Sequence, residues 1–262
     1  MKTKLTDEQC AAVSAFLQTH KTTLDKITAF MLDYNKHTNL TRITEPDEII
    51  EKHYVDSILP LMFHVEHCKT SVPVSAALPP SRERAVAGTT SELVPDKPTV
   101  LDVGSGAGFP GIPMKLLLSE LQVTLLDSAR KRTDYLQLLL AHIGLSCNVV
   151  TARSEALAHN PAYREKYDIV TARAVANLAS LCEYCLPFVK VGGVFLALKG
   201  ESAADEVKAA RTALQLLGGE VESVREYSLP CGDKRGVVII RKIATTLATY
   251  PRQRVNIGKC PL

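Results

Sequence analysis

Several features common in membrane and secreted proteins are missing from this chain. No uninterrupted apolar run in its 262 residues approaches the roughly 18 residues that a spanning helix needs. The opening residues, MKTKLTDEQC, contain no apolar segment typical of a secretory signal. The sequence therefore predicts a cytoplasmic protein with no membrane partner.

A paired cysteine pattern is also missing. The seven cysteines are scattered, which suits reduced thiols better than a disulfide framework. Cys182 and Cys185 form a single CxxC, but no second pair follows at the spacing of a zinc site. The surrounding LASLCEYCLPF has the pattern of a helix. We therefore expect no metal site.

What is present is an ordinary globular composition, 46% hydrophobic and 23% charged. Apolar residues recur at helical spacing through residues 6–36, where Thr6 and Gln9 form a capping-box pair. A third helix is predicted from Thr44 to about residue 63, which gives an N-terminal helical extension over residues 1–65. Residues 66–98 are rich in proline and have no period, so they predict a flexible insert.

From residue 99 the chain alternates strand-like and helix-like segments. This alternation predicts an α/β fold, a Rossmann-like doubly wound sheet, over residues 99–245. The last two strands, near 220–228 and 236–243, have no helix between them and so predict an antiparallel hairpin at the sheet edge. Residues 246–262 predict a basic C-terminal tail.

The most informative segment is TVLDVGSGAGFPGIPMK, residues 99–115, in which a short strand leads into glycines and then a helix start. Glycines at 104, 106, 108 and 111 permit close backbone approach to a ligand. The helix beginning near Pro110 is expected to direct free N–H groups at that ligand. Gly106, Gly108 and Gly111 also satisfy G-x-G-x-x-G, so spacing alone allows NAD.

Two aspartates favour another cofactor. Asp102, just before the glycines, would oppose a pyrophosphate but attract an ammonium or sulfonium group. Asp127 ends the second strand, where a carboxylate can accept hydrogen bonds from a ribose diol. S-adenosylmethionine, which has a cationic end and no phosphate, fits this pair better than NAD does.

The blocks LDVGSGAGFPGIP, LLDSARKR, ARSEAL, TARAVANL and ALKG, in this order, resemble the RsmG (GidB) family. Upstream, NLTRITEPDEIIEKHYVDSI is similar to its N-terminal signature, and the closing YPR is similar to its C-terminal one. The resemblance implies a class I S-adenosylmethionine-dependent methyltransferase that acts on guanine N7 in bacterial 16S ribosomal RNA. It implies 16S rRNA or the small ribosomal subunit as partner.

By matching position, the resemblance and the glycine motif together predict a set of cofactor-binding residues: Asp102, Gly104, Gly106, Gly108, Phe109, Asp127, Ser128, Ala129, Ser154, Glu155 and Arg173. For Phe109 a core role, and for Ser154 a helix cap, remain open from the residues alone.

No catalytic residue is predicted, because guanine N7 carries a lone pair and no proton, so its methylation needs alignment rather than a base or metal. TARAVAN replaces the Asp/Asn-Pro-Pro-aromatic segment of amino-group methyltransferases. Lys199, at the end of the fifth strand, is a candidate for positioning the target nucleotide or its phosphate. The predicted RNA-binding cations are Arg130, Lys131, Arg132, Lys199, Arg252 and Lys259.

His53, Asp56 and Ser57 share one helix face and are predicted to be structural or substrate-ordering, and Asn39 to be a turn residue. We expect a monomer. Two other functions stay open from the sequence, an NAD-linked oxidoreductase and a cofactor-binding RNA scaffold without turnover.

Overall fold

The computed structural model describes residues 5–71, 97–173 and 176–262, and for 66–71 the backbone alone. Within these ranges seven strands form one sheet in the order β3-β2-β1-β4-β5-β7-β6. The strands are Thr99–Val103 (β1), Gln122–Asp127 (β2), Asn148–Thr151 (β3), Tyr167–Arg173 (β4), Val189–Lys199 (β5), Gly219–Ser228 (β6) and Lys234–Lys242 (β7).

Strands β3, β2, β1, β4 and β5 are parallel, which confirms the predicted doubly wound sheet. Val100, Leu101 and Val170 are fully buried because helices cover both faces of the sheet. The strand order reverses between β1 and β4. Sheets of this kind bind ligands at that switch point, outside the carboxyl ends of the strands.

The predicted hairpin is confirmed. Strand β7 pairs antiparallel with both β5 and β6, so β6 is the edge strand. Only the short loop 229–233 joins β6 to β7, which leaves no room for a crossover helix.

The helices agree with the predicted pattern in position, with two differences in detail. The helical segment between β5 and β6 is interrupted at Ala210, and the predicted helix from Thr44 contains a π-helical segment, Ile50–Val55. The α-helices are Asp7–Thr19 (α1), Lys21–Asn35 (α2), Pro46–Ile49 (α3), Asp56–Ser71 (α4), Gly111–Leu117 (α5), Arg130–Ile143 (α6), Ser154–Leu157 (α7), Leu178–Cys185 (α8), Ala203–Ala209 (α9), Arg211–Leu217 (α10) and Arg254–Lys259 (α11).

The N-terminal helices pack on the sheet domain through aromatic and aliphatic side chains. The capping box of Thr6 and Gln9 is present, with bonds of 3.0 and 3.2 Å. Ile27 and Met31 of α2 are fully buried, and the ring of Tyr34 lies 5.0 Å from that of Tyr135 on α6. The extension is therefore attached to the helix that follows β2.

The predicted domain boundaries stay a prediction. Most of the predicted insert, residues 72–96, lies outside the described residues, whereas 66–71 continue α4. Along the described ranges, no helix combines the length and apolar character needed to cross a membrane.

The C-terminal segment, predicted as a basic tail, is folded against the sheet domain. The Arg164 guanidinium donates to the carbonyl oxygens of Thr246, Leu247 and Tyr250 at 2.7–3.0 Å. Ile257 of α11 is fully buried, and the Ser180 hydroxyl of α8 donates to its carbonyl at 3.3 Å. The segment is thus fixed to α8.

Arg252 anchors this segment through Glu183, a carboxylate with no exposed surface. The Arg252 amide and Nε donate to Glu183 Oε1 at 2.7 and 2.9 Å, and Nη2 donates to Oε2 at 2.7 Å. The Arg252 guanidinium therefore neutralises a buried charge within the protein, and its predicted role as an RNA-binding cation stays a prediction.

We expect Arg252→Met to lower the free energy of unfolding by about 2 to 3 kcal/mol, because it leaves Glu183 buried without its counter-ion. This loss is smaller than the loss expected on breaking a fully buried ion pair, since 27% of the Arg252 side chain is exposed. Urea titration followed by circular dichroism measures it. Lys259→Ala, which removes an exposed cation from α11, is the matched control and should unfold like the wild type. Equal midpoints for both variants would contradict the anchor.

Candidate cofactor and substrate cleft

The glycine loop after β1 is held in place by its own amides. The N–H groups of Gly104 and Ser105 both donate to Leu126 O, at 2.8 and 3.0 Å, and those of Gly108 and Phe109 both donate to Ser105 O, at 2.8 and 3.1 Å. Gly106 N donates to Asp127 Oδ2 at 3.0 Å. These bonds fix the loop against the end of β2.

The amides at the start of α5 are also engaged. Gly111 N donates to Asp102 Oδ2 at 3.0 Å and Ile112 N to Gly108 O at 2.8 Å. The prediction that this helix start directs free N–H groups at a ligand is therefore wrong. A pyrophosphate needs such free donors, so the loop is better suited to a ligand without phosphate.

Gly106 and Gly108 differ in what a side chain would contact at their positions. A Cβ on Gly108, at φ +97°, would lie 2.4 Å from Ile112 Cδ1, so the close packing here requires a residue without a side chain. A Cβ on Gly106, at φ +56°, would meet nothing closer than Gly104 O at 3.8 Å. Gly106 therefore borders open space, where a ligand can approach the backbone.

Asp127 lies at the carboxyl end of β2 and is only 3% exposed. Its Oδ1 accepts from Ala129 N at 2.9 Å, and its Oδ2 accepts from Gly106 N and, at 3.4 Å, from Arg132 Nη1. A carboxylate has about four acceptor sites, so capacity for a further donor remains. Asp127 lines the cleft, so a ligand bound there can supply this further donor. A ribose hydroxyl is a donor of this kind.

The side chain of Asp102 is fully buried behind the loop and is absent from the cleft wall. Its predicted contact with a cationic ligand stays a prediction. Burial raises the pKa of Asp102 to about 7, against the lowering effects of the Gly111 amide and the Arg173 charge. Asp102 therefore supports the loop from within.

The cleft at the switch point has a volume of about 720 Å³. The structure brings most of the predicted cofactor residues to its wall, and places Gly108 and Ala129, like Asp102, outside the lining. The predicted residues that line it are Gly104, Gly106, Phe109, Asp127, Ser128, Ser154, Glu155 and Arg173. Across the described ranges no group of three metal-ligating side chains occurs.

Arg173, at the end of β4, connects the cleft to the N-terminal extension. Its Nη1 donates to Lys52 O at 2.8 Å and lies 3.5 Å from Asp56 Oδ2, while its Nη2 lies 3.1 Å from His53 Nδ1. Its guanidinium carbon is 5.4 Å from the centre of the Phe109 ring. Asp56, in turn, accepts from the Tyr227 hydroxyl at 2.8 Å.

His53 stacks on Phe109, with ring centres 4.5 Å apart and planes within 8°. Burial, aided by the charge of Arg173, lowers the pKa of His53 to about 3, so the imidazole is neutral. Both His53 and Thr41 line the cleft. The shared helix face of His53 and Asp56 was the sequence signal for this cluster, whereas nothing local pointed to Thr41.

The sequence also gave no sign of the wall formed by α8 and α11. Besides predicted positions, the lining includes residues from the capped start of α8 and from the folded tail: Asn177, Ser180, Tyr184, Arg254 and Gly258. Asn177 caps α8 by accepting from Ser180 N at 2.9 Å. The tail therefore closes one side of the cleft.

Lys199 does not lie in the cleft wall. Its side chain is 8% exposed, pairs with Glu206 Oε2 at 2.7 Å and donates to Ala176 O at 2.7 Å. Its ammonium is bonded within the protein, and its predicted role in positioning the target nucleotide stays a prediction. It supports Ala176, which does line the cleft.

The other predicted RNA-binding cations are accessible. Arg130 and Lys131 are exposed at the start of α6, where Arg130 pairs with Asp134 at 3.0 Å, and Arg132 reaches Asp127 in the cleft. Lys259 is exposed on α11. Arg153 and Arg254, which were not predicted, also lie at the cleft.

Comparison with known proteins identifies the relatives of this chain. The family model GidB, described as rRNA small subunit methyltransferase G, matches residues 87–235. The protein of that name from Clostridium novyi (strain NT) is 42% identical over 232 residues, which are 88% of this chain and 84% of that protein. This chain belongs to the GidB family.

Other GidB family members are equally similar. The ribosomal RNA small subunit methyltransferase G of Acetivibrio thermocellus is 42% identical over 245 residues, 91% of this chain and 88% of the relative. Among solved structures, the ribosomal protein L11 methylase of Lactobacillus delbrueckii subsp. bulgaricus matches at 20% identity with a TM-score of 0.43, covering 57% of this chain and 72% of that one.

Membership of the GidB family confirms the predicted resemblance and the predicted methyltransferase class. It does not support an NAD-linked oxidoreductase or a scaffold without turnover. The roles of individual cleft residues stay predictions.

The raised pKa of Asp102 predicts a pH-dependent stability. Between its ordinary value of 3.8 and about 7, the folded protein holds a proton that the unfolded chain has lost. The stabilisation that this proton gives the folded state is fully present below pH 3.8 and is lost as the pH rises through about 7. The free energy of unfolding falls by at most about 1.4 kcal/mol per pH unit over this range.

Asp102→Asn keeps an acceptor for Gly111 N but does not titrate. We expect the free energy of unfolding of this variant to rise relative to that of the wild type between about pH 5 and pH 7. Urea titrations of both proteins across this range measure the difference, which cancels the effect of other groups. Parallel pH profiles would contradict the placement of Asp102.

Proposed function

We propose that this protein transfers the methyl group of S-adenosylmethionine to N7 of a guanine in 16S ribosomal RNA. The observation that carries the proposal is the glycine loop. Most of its amides are bonded within the protein, and it lies beside the Asp127 carboxylate at the switch point, in a chain that belongs to the GidB family. Such a loop fits a cofactor with a ribose and no phosphate.

The residues present fit this cofactor. Open space at Gly106 admits a ligand against the loop, and Asp127 has a free acceptor site for the ribose hydroxyls. Ser154 and Glu155, after β3, and Ser128, after β2, line the cleft. We assign the first two to the adenine and Ser128 to the ribose. Arg173 offers positive charge near the amino-acid end, where the cofactor has a carboxylate. When bound, S-adenosylmethionine supplies an electrophilic methyl group on a sulfonium.

The chain's own residues then have a positioning task. Guanine N7 has an in-plane lone pair and no proton to remove, so the wall needs no general base. Phe109 and Leu40 offer apolar surface that excludes water from the substrate end of the cleft. His53 stacks on the Phe109 ring and the Arg173 guanidinium lies 5.4 Å from its centre, so both contacts help to hold the ring in place. Aligned approach is the main source of catalysis in such a site.

The RNA has to present an unpaired guanine, because duplex RNA hides N7 in a deep, narrow groove. Arg130, Lys131 and Arg132 at one side of the cleft, with Arg153, Arg254 and Lys259 at the other, supply positive charge for the flanking phosphates. We place this reaction in the cytoplasm, where ribosomal RNA is assembled, and assign it to the monomer acting on 16S rRNA or the small subunit.

Gly106→Asp tests the cofactor site. Aspartate tolerates φ +56° and meets no steric clash, so the variant should fold, but its side chain occupies the cradle beside Asp127. We expect calorimetry to detect no S-adenosylmethionine binding and methyl transfer to be lost. Gly144→Asp, at φ +67° with nothing within 4 Å, is the matched control and should bind like the wild type.

Methyl transfer by the wild-type protein tests the proposed function itself. Tritiated methyl transfer to small-subunit RNA from cells lacking the protein, followed by mapping of the labelled base, should give 7-methylguanine at one position. Tight NAD binding without S-adenosylmethionine binding, or label in no guanine, would overturn the proposal.

Replacing both Arg130 and Lys131 with alanine tests the RNA surface. We expect weaker RNA binding and a salt slope smaller by about one unit for each lost phosphate contact, with cofactor affinity unchanged. Filter binding at several salt concentrations measures this. The same double replacement at Lys208 and Arg211, exposed cations of α9 and α10, is the control. An equal decrease in both double variants would argue against a specific RNA surface.

A further inference from the structure

The cleft contains a chain of three side chains, from Arg173 through His53 to Thr41. Arg173 Nη2 lies 3.1 Å from His53 Nδ1, and His53 Nε2 lies 3.0 Å from Thr41 Oγ1. Thr41 precedes α3 in the N-terminal extension and lines the cleft together with Leu40. Arg173 and His53 also contact the Phe109 ring of the glycine loop.

Arg173 determines the direction of both hydrogen bonds in the series Arg173–His53–Thr41. A guanidinium only donates, so His53 Nδ1 accepts, and the neutral imidazole carries its single proton on Nε2. This N–H donates to Thr41 Oγ1. The low pKa of His53 agrees with a neutral ring.

The Thr41 hydroxyl can donate a further hydrogen bond but cannot accept one. Its oxygen also accepts from Ile43 N at 3.1 Å, so both lone pairs are used. Among the described residues, the contacts of this oxygen give its own hydrogen no acceptor. The hydroxyl therefore presents a donor, and no acceptor, to the cleft.

We propose that the Thr41 hydroxyl donates to O6 of the target guanine and makes the site reject adenine. This inference rests on the proposed function. Guanine presents N7 and O6, both acceptors, on one edge, whereas adenine presents N7 beside an N6 amino donor. A group that can only donate pairs with the first edge and opposes the second.

The observations favour the base over the cofactor as the acceptor. Thr41 and His53 come from the extension, whereas Gly106, Asp127 and Glu155, at the cofactor end, follow β1, β2 and β3. Arg173 already brings a full charge for a carboxylate. A single neutral hydroxyl suits a carbonyl oxygen.

The test uses small-subunit RNA carrying either guanine or 2-aminopurine at the mapped position, because 2-aminopurine keeps N7 and the 2-amino group but lacks O6. We expect the wild type to show a kcat/KM about tenfold lower for 2-aminopurine, the effect of one lost hydrogen bond. Thr41→Val should methylate guanine about tenfold more slowly and should no longer distinguish the two bases. Thr41→Ser, which keeps the hydroxyl, should retain the preference.

The ratio between bases within one variant does not depend on how much of that variant folds. A Thr41→Val protein that still prefers guanine over 2-aminopurine would overturn the inference. So would weaker S-adenosylmethionine binding that accounts for the whole loss of rate, since the acceptor would then be on the cofactor. If the wild type methylates no guanine, the proposed function fails instead.

Discussion

The guanidinium of Arg173 connects the N-terminal extension to the sheet domain at the cleft. It extends from the end of β4, bonds to the π-helical segment through Lys52 O and His53, and lies against Asp56. It also covers the Phe109 ring of the glycine loop. Removing this buried charge would leave Asp56 with Arg235 alone, at 3.7 Å, and would remove the cation that lowers the pKa of Asp102, so extension, loop and sheet depend on Arg173 together.

The glycine loop illustrates how the same sequence pattern can serve different ligands. G-x-G-x-x-G loops bind phosphates when their amides are free. Here Leu126 O, Asp127 and Asp102 accept from those amides, so the loop keeps its sharp turn while offering backbone surface instead of donors. The carboxylates determine what the loop can hold by satisfying it internally.

Sequence patterns predict the sheet, the hairpin, and the placement of Gly106 and Asp127, because each depends on residues close together in the chain or on strand alternation. They do not predict which way Asp102 faces, since that depends on packing behind the loop. The Arg252–Glu183 pair joins residues 69 positions apart, and Arg173 meets His53 across 120 positions. Such pairs have no local signature, so the sequence does not show that Arg252 and Lys199 form ion pairs inside the fold.

The folded tail gives the cleft a further property. Its walls come from widely separated segments that include Thr41, Gly106, Arg173 and Arg254. Because these segments come together only in the complete tertiary structure, a partly folded chain has no site for a small ligand. Cofactor binding is then linked to folding as a whole, and a saturating ligand shifts the unfolding equilibrium of every segment at once.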